Sequence, residues 1–293
     1  MDFTLIAKKI KELRKNVGLS QKELAKGICT QAQISKIEKG VVFPYANTLY
    51  LISQKLGVDV NYFFDIGMTP RLDYVQEVNY QLKIARRNLD YEDIKEIVKA
   101  EENNPLFTQN KSNQQILMWH KGIYEYELDQ DLEKAIETLS EAINLTHNKK
   151  QKIYTEKEIE ILISIGVFYF NERLKKSEEV FKEIMENVEM LPHLYDHTIK
   201  TRVFYNYARV LTRLEQFTKS IQYCEKGIAW CIEKDTMFLL GELHYQIGYN
   251  FELQENYREA LKYMKKALIV FELQKDDKYI SIIKGKIEEL NSK

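Results

Sequence analysis

Five short segments recur along the chain: "YEDI" (Tyr91 to Ile94), "LEKA" (Leu132 to Ala135), "LKKS" (Leu174 to Ser177), "FTKS" (Phe217 to Ser220) and "YREA" (Tyr257 to Ala260). Their last residues fall 41, 42, 43 and 40 positions apart. In the last four units the fourth residue beyond the segment is Leu139, Phe181, Cys224 or Met264, and the seventh is Ala142, Ile184, Gly227 or Ala267. Residues three apart share one face of a helix. Twelve positions before each segment's end stand Ile123, Ile165, Ala208 and Gly248, and nine before it Tyr126, Phe168, Leu211 and Phe251, the matching face of a preceding helix. Each unit reads as a helical hairpin with small residues at crossing points and large ones in the gaps. One hairpin cannot bury such a face alone, so the period predicts a stack.

These hairpins resemble tetratricopeptide repeats, somewhat longer than the usual unit, and "GYNFELQENYREALKYMKKAL" is the clearest copy. The first, from Leu72 to Asn103, is the most degenerate, as a terminal repeat can be. A helix from Tyr279 to Leu290 closes the far end. The resemblance implies a superhelix of five hairpins with a concave face lined by the first helix of each unit, a surface that holds an extended peptide or a partner helix. With only 4 Pro and 11 Gly in 293 residues there are few breakers for a strand-and-turn protein, and the expected fold class is all-α.

The first seventy residues have a different pattern. Ile6, Ile10, Leu13 and Val17 make one apolar stripe that ends at Gly18. Ser20 with Glu23, and Thr30 with Gln33, are spaced as two successive capping boxes. The second opens a short helix with Ile34 and Ile37 inside and a stop at Gly40, and the small Ala25 allows its close, steep approach to the helix before it. Gln31, Ala32, Gln33, Ser35, Lys36 and Lys39 then carry groove-reading chemistry, since Gln pairs with adenine, Lys with guanine and an Ala methyl with thymine. Gln21, opening the preceding helix, is placed for a phosphate. Residues 1 to 70 hold ten Lys or Arg against six Asp or Glu, whereas the remainder is net acidic, which favours a polyanionic partner for the N-terminal part.

From Phe3 to Phe64 the sequence resembles the phage-repressor-like helix-turn-helix family, which implies a five-helix DNA-binding domain with Asn47 to Leu56 and Asp59 to Phe64 as its fourth and fifth helices. The turn from Gly27 to Cys29 is one residue shorter than in phage repressors, and Tyr45 stands where a Ser or Thr cap often precedes the fourth helix. "DIGMTP" (Asp65 to Pro70) breaks the pattern. The expected organisation is a helix-turn-helix domain over 1–66, a linker over 67–71, and the repeats with their closing helix over 72–293.

Taken together, the two parts resemble peptide-responsive quorum-sensing regulators of Gram-positive bacteria, the Rap, Rgg, NprR, PlcR and PrgX group, in the PlcR-type arrangement. The resemblance implies a transcriptional regulator that acts as a homodimer on a palindromic operator in double-stranded DNA, controlled by a short linear signalling peptide in the groove. "YNYA" (Tyr205 to Ala208) resembles a segment of the group whose Asn holds the peptide backbone, which gives that role to Asn206. "YQIG" (Tyr245 to Gly248) likewise points to Gln246. Tyr279 matches a tyrosine near the end of the chain, and Arg87 a basic residue near the peptide's carboxylate. Leu162 and Gly166 depart from the group, standing where PlcR-type members have groove asparagines. A competing reading makes the repeats a docking site for a folded protein, with no peptide ligand.

Nucleotide-binding, zincin and serine-hydrolase motifs are absent from the sequence, so no catalytic residue and no cofactor is expected. His193 and His197, four apart, are better explained by a helix starting after Pro192 than by a metal. Cys224 and Cys231 lie about 10.5 Å apart along a helix, beyond bridging distance, and reduced thiols are expected, with Cys29 in the turn. The apolar run from Ile161 to Phe170 is too short to span a bilayer and Asp2 stands where a signal peptide would be basic, so no membrane segment and a cytoplasmic location are expected.

Overall fold

The computed structural model describes residues 2–69, 71–148, 151–191 and 193–292. Pro70, in the expected linker, and Pro192, after which a helix is expected to start, lie outside them. The described residues are helical apart from their connections. In chain order the helices are α1 (Phe3–Asn16), α2 (Gln21–Ala25), α3 (Gln31–Glu38), α4 (Ala46–Leu56), α5 (Val60–Met68), α6 (Leu72–Asn88), α7 (Tyr91–Glu101), the single turn α8 (Pro105–Thr108) and α9 (Lys111–Glu127). There follow α10 (Leu132–Asn144), α11 (Glu156–Glu172), α12 (Leu174–Met190), α13 (Thr198–Arg213), α14 (Phe217–Glu233), α15 (Leu240–Leu253), α16 (Tyr257–Gln274) and α17 (Asp277–Asn291). Two compact units divide between His120 and Lys121, inside α9, so α6 and α7 belong to the first. Helix α5 runs two residues into the segment expected as linker, because Gly67 is buried rather than exposed.

In the first unit α1 packs on α3, α4 and α5, and α2 on α3. Their shared core is Ile6, Ile10, Leu24, Ala25, Ile34, Ile37, Leu49, Ile52, Leu56 and Phe63. Val17 departs from the expected stripe. It is the C-cap of α1, outside the last turn, and stays 49% exposed, while Arg14 takes the inward position. The Ser20 cap is a complete box, whereas Thr30 caps from one side, its hydroxyl accepting from the Gln33 amide. Tyr45 precedes α4 without a side-chain cap bond.

In the second unit every helix from α10 to α16 packs on its successor, and α11, α13 and α15 also pack on one another in turn. The five quoted segments begin α7, α10, α12, α14 and α16 at their first residues. Asp90, Asp131 and Asn256 cap three of these helices with side-chain oxygens. Immediately before them Leu89, Gln130 and Glu255 adopt left-handed backbone, which reverses the chain between the two helices of the hairpin. The predicted crossing residues are buried, with Ala135, Leu139, Ala142, Ile184, Ala208, Cys224, Met264 and Ala267 all fully enclosed.

Gly166 shows why a small residue is needed. A Cβ there would lie 2.7 Å from Cε2 of the Phe181 ring, and Leu162 is buried as well. Gly166, read from the sequence as a departure in a groove, therefore faces the packing between α11 and α12, and Leu162 is enclosed rather than open. Adding a branched side chain at this crossing forces the helices apart at a cost of about 1 to 3 kcal/mol. Gly166→Val should lower stability by that amount, and urea titration of both proteins will measure it; an unchanged midpoint would contradict the packing role.

Candidate functional site

A buried ion pair links the helix-turn-helix helices beside their apolar core. Arg14 of α1 donates from Nε to Glu38 Oε1 at 2.5 Å and from Nη2 to Oε2 at 2.9 Å, and from Nη1 to the Leu19 carbonyl at 2.7 Å. Both side chains are enclosed, and the bidentate geometry lets the two charges compensate where water cannot. Burial disfavours the Glu38 carboxylate, but the bonds from Arg14 and Gln21 outweigh it and hold its carboxyl below the usual range. The hydrogen bond to Glu38 likewise raises the Arg14 value above its ordinary one.

Gln21 extends this pair to the surface. Its Nε2 donates to Glu38 Oε2 at 2.9 Å, and its Oε1 accepts from Gln31 Nε2 at 2.8 Å. The side chain expected to reach a phosphate is thus held between α1–α3 packing and the first residue of the reading helix. At the other end of α2, Lys55 of α4 donates to the Glu23 and Lys26 carbonyls at 2.7 and 2.6 Å, satisfying groups that the short helix leaves open. Gly27, with φ of +80°, carries the chain into the turn.

The exposed side of α3 is now fixed. Ala32, Ser35, Lys36 and Lys39 follow the i, i+3, i+4, i+7 spacing of one face, with Ser35 half-buried and the others exposed. Gln31 is exposed at its N-terminal end, beside Gln21. Gln33 sits off this face, half-buried at the cap. Sequence reading missed Arg14, Glu38 and Lys55. The available signal was a charge at each of two inward positions, Arg14 four after Ile10 and Glu38 four after Ile34.

The candidates for a groove lie apart in the chain, with Arg87 in the first unit and Asn206, Gln246 and Tyr279 in the second. Arg87 is exposed near the end of α6. Asn206, on the half-buried side of α13, donates to the Arg202 carbonyl at 2.9 Å and accepts from Arg209 at 3.3 Å. Tyr279 is 38% exposed and stacks on Phe271, with ring centroids 4.8 Å apart. Gln246 differs from its expected open position. Only 5% exposed, it donates to Thr212 Oγ1 at 2.7 Å within a buried network completed by Ser220 and Asn250. Its side chain points between α13 and α15 because four polar groups there satisfy one another.

His193 and His197 are not on a helix. The chain becomes helical only at Thr198, and the His197 carbonyl ahead of α13 accepts from Trp230 Nε1 at 2.9 Å. Among the described residues no group of three His, Cys, Asp or Glu side chains is arranged to hold a metal. Cys29, Cys224 and Cys231 are free thiols, each pushed above its ordinary value by burial. No helix of the described residues is long and apolar enough to cross a membrane.

Residues 79–290 match the family model described as the RNPP family C-terminal domain. The chain belongs to the RNPP family. Residues 10–63 also match a helix-turn-helix family model. Among solved structures this RNPP chain is similar to Bacillus thuringiensis PlcR in complex with the peptide PapR7 and DNA, at 26% identity and a TM-score of 0.85 over 95% of this chain and 98% of that one. It also shares its fold with ComR from S. thermophilus in complex with DNA and its signalling peptide ComS, at 18% identity and TM-score 0.67 over 98% and 99% of the chains. A third likeness is the Streptococcus dysgalactiae SHP pheromone receptor Rgg2, at 15% and 0.64 over 97% and 99%. No curated protein matches the chain.

Removing one partner of a buried pair leaves the other charge uncompensated and costs about 3 to 5 kcal/mol. Glu38→Ala should destabilise the N-terminal helices by that amount. Because the folded Glu38 value is depressed, the pair's contribution is full above the unfolded carboxyl value of about 4.3 and is lost as pH falls through the folded one. Melting the wild type and the variant between pH 7 and pH 2 checks both points, since the gap between them should close only at the acid end.

Proposed function

We propose that this chain is a DNA-binding transcriptional regulator of the cytoplasm, controlled by a short signalling peptide held against the first helices of its repeats. The carrying observation is the exposed face of α3, Ala32, Ser35, Lys36 and Lys39, presented beside the Gln21–Gln31 bond by a buried ion pair in a chain that shares 26% identity with a regulator crystallised with both peptide and DNA. The reading takes residues 1–66 as the DNA-binding domain, 67–71 as the linker and 72–293 as the peptide-binding and dimerisation domain. The unit that binds is a homodimer, because two-fold protein symmetry is mirrored in a palindromic operator. No catalytic role belongs to it.

In this proposal α3 enters the major groove, where Lys36 meets a base edge and Gln31, Ala32 and Ser35 lie against neighbouring pairs, with Gln33 and Lys39 at the margin. Gln21 contacts a phosphate while remaining tied to Glu38. Asn206 and Tyr279 meet the peptide, Gln246 supports them from the buried network, and Arg87 supplies an exposed cation.

Replacing Lys36 with Ala should change the ranking of operator variants, at a cost of about 1 to 3 kcal/mol at its own base pair. Binding measured against a panel of single-base operator changes decides this, because uniform weakening across the panel would assign Lys36 to a phosphate instead.

For the ligand, Asn206→Ala should weaken cognate-peptide binding roughly 5- to 150-fold, the effect of leaving one buried amide without its partner. Its DNA binding without peptide should stay near the wild-type value, since linkage acts through differential affinity for the peptide-bound state. Calorimetry with the peptide and operator titrations with and without it give both numbers. Equal peptide affinity in the two proteins would count against Asn206, and no peptide effect on DNA binding would favour a folded protein partner.

A further inference from the structure

The half-buried side of α13 carries Arg202, Tyr205, Asn206, Arg209 and, exposed at its end, Arg213, while Val203, Tyr207 and Val210 point into the core. Three guanidinium groups on one side of one helix repel each other unless something compensates them. Arg202 is compensated, since it reaches Glu160 of α11 at 2.6 Å and Asp196 at 3.7 Å. Farther along the same layer Glu252 of α15 is taken by Lys286 at 2.9 Å. Arg209 and Arg213 have no carboxylate within ion-pair distance among the described residues.

The two are nevertheless fixed in place. Both lie over the Phe170 ring of α11, the Arg209 guanidinium 4.7 Å and that of Arg213 4.9 Å from its centroid. Arg209 also stands 5.6 Å from the Tyr205 ring and donates to Asn206 Oδ1 at 3.3 Å, and Arg213 donates to the Phe170 carbonyl at 3.3 Å. These bonds engage only Nη1 of each fork and leave Nε and Nη2 of both without a hydrogen-bond partner among the described residues, and a planar fork held over a ring in this way matches a carboxylate with little further ordering. Glu242 makes no ion pair with either arginine among the described residues, and burial pushes its carboxyl above the usual range, helped by Asp276.

We infer that Arg209 and Arg213, stacked on Phe170 beside Asn206, form an anion receptor that takes a carboxylate of the bound peptide. This rests on the peptide-binding reading above and adds to it the chemical class of the ligand, a peptide with either a free C-terminus or an acidic side chain at this point. The receptor fixes the register of the peptide along α13, because Asn206 and Arg209 are already joined and the next residue of the ligand must follow from their spacing.

The test uses the full chain and a pooled heptapeptide library made in two forms, with C-terminal carboxylates and with C-terminal amides, the retained peptides being read by mass spectrometry. Retention favouring the free acids by about 10- to 150-fold, the effect of a charged hydrogen-bonded contact, identifies the C-terminus as the anion. Retention of both forms with the same degree of enrichment in Asp or Glu at one position identifies a side chain. In either case the preference should vanish in Arg209→Gln/Arg213→Gln, and Arg213→Gln alone, at an exposed position, should reduce it. Peptides retained without regard to carboxylates, or a preference that survives in both variants, would overturn the receptor while leaving peptide binding intact. No peptide retained in any arm would overturn both.

Discussion

No hairpin of the second unit can bury its own apolar face, and the rest of that unit follows from this. Ala208, Cys224 and Leu243 are enclosed only because α13, α14 and α15 close on one another. Small residues set how near the helices come. Gly248 brings α15 to within contact of Met264 and of the Ala260 carbonyl, so any larger residue would move α16 with it. The close approach also decides what is left outside. Once α12, α14 and α16 take the apolar sides of α11, α13 and α15, the remaining side of each first helix can carry arginines, tyrosines and amides without cost to the core.

The first unit solves a different problem. Two of its helices are short, five residues in α2 and eight in α3, and short helices have little stability of their own. The reading face is therefore only as well placed as its attachments. Arg14 and Glu38 tie α1 to the end of α3, Gln21 ties the start of α2 to the start of α3, and Lys55 closes the end of α2. A buried ion pair is a weak source of net stability compared with apolar packing, but it defines one geometry where Ile34 and Ile37 alone would tolerate sliding.

Much of this was legible in the sequence, because it depends on period. The segments at Tyr91, Leu132, Leu174, Phe217 and Tyr257 begin helices, and the predicted crossing residues are enclosed, since the 3.6-residue repeat dictates which side chains face inward. What was not legible depends on contacts between residues distant in sequence. Arg14 and Glu38 are 24 positions apart, and although each stands at an inward position of its own helix, their pairing shows only once α1 and α3 are brought together. Val17 matched the stripe by spacing yet lies beyond the end of its helix, and the His193 segment is a bend and turn ahead of α13, where Trp230, 33 residues on, donates to the His197 carbonyl. Pattern gives the face of a helix more readily than its last turn.

Gln246 shows how the same limit applies to a site. Its place on α15 suggested an amide open to a ligand, but the polar groups of α13 and α14 were invisible from its own helix. Thr212, Ser220 and Asn250 complete a set in which Gln246 donates to Thr212, while Asn250 donates to Ser220 and to the Gln246 carbonyl. Each bond is buried, so an amide withdrawn from the set leaves an oxygen without a donor at a cost of about 1 to 3 kcal/mol. A ligand that engaged the Gln246 side chain would have to replace that bond as well as make its own. Such a contact cannot be made without changing how α13 and α15 are joined, whereas the Asn206 bonds, to the Arg202 carbonyl and from Arg209, stay within α13.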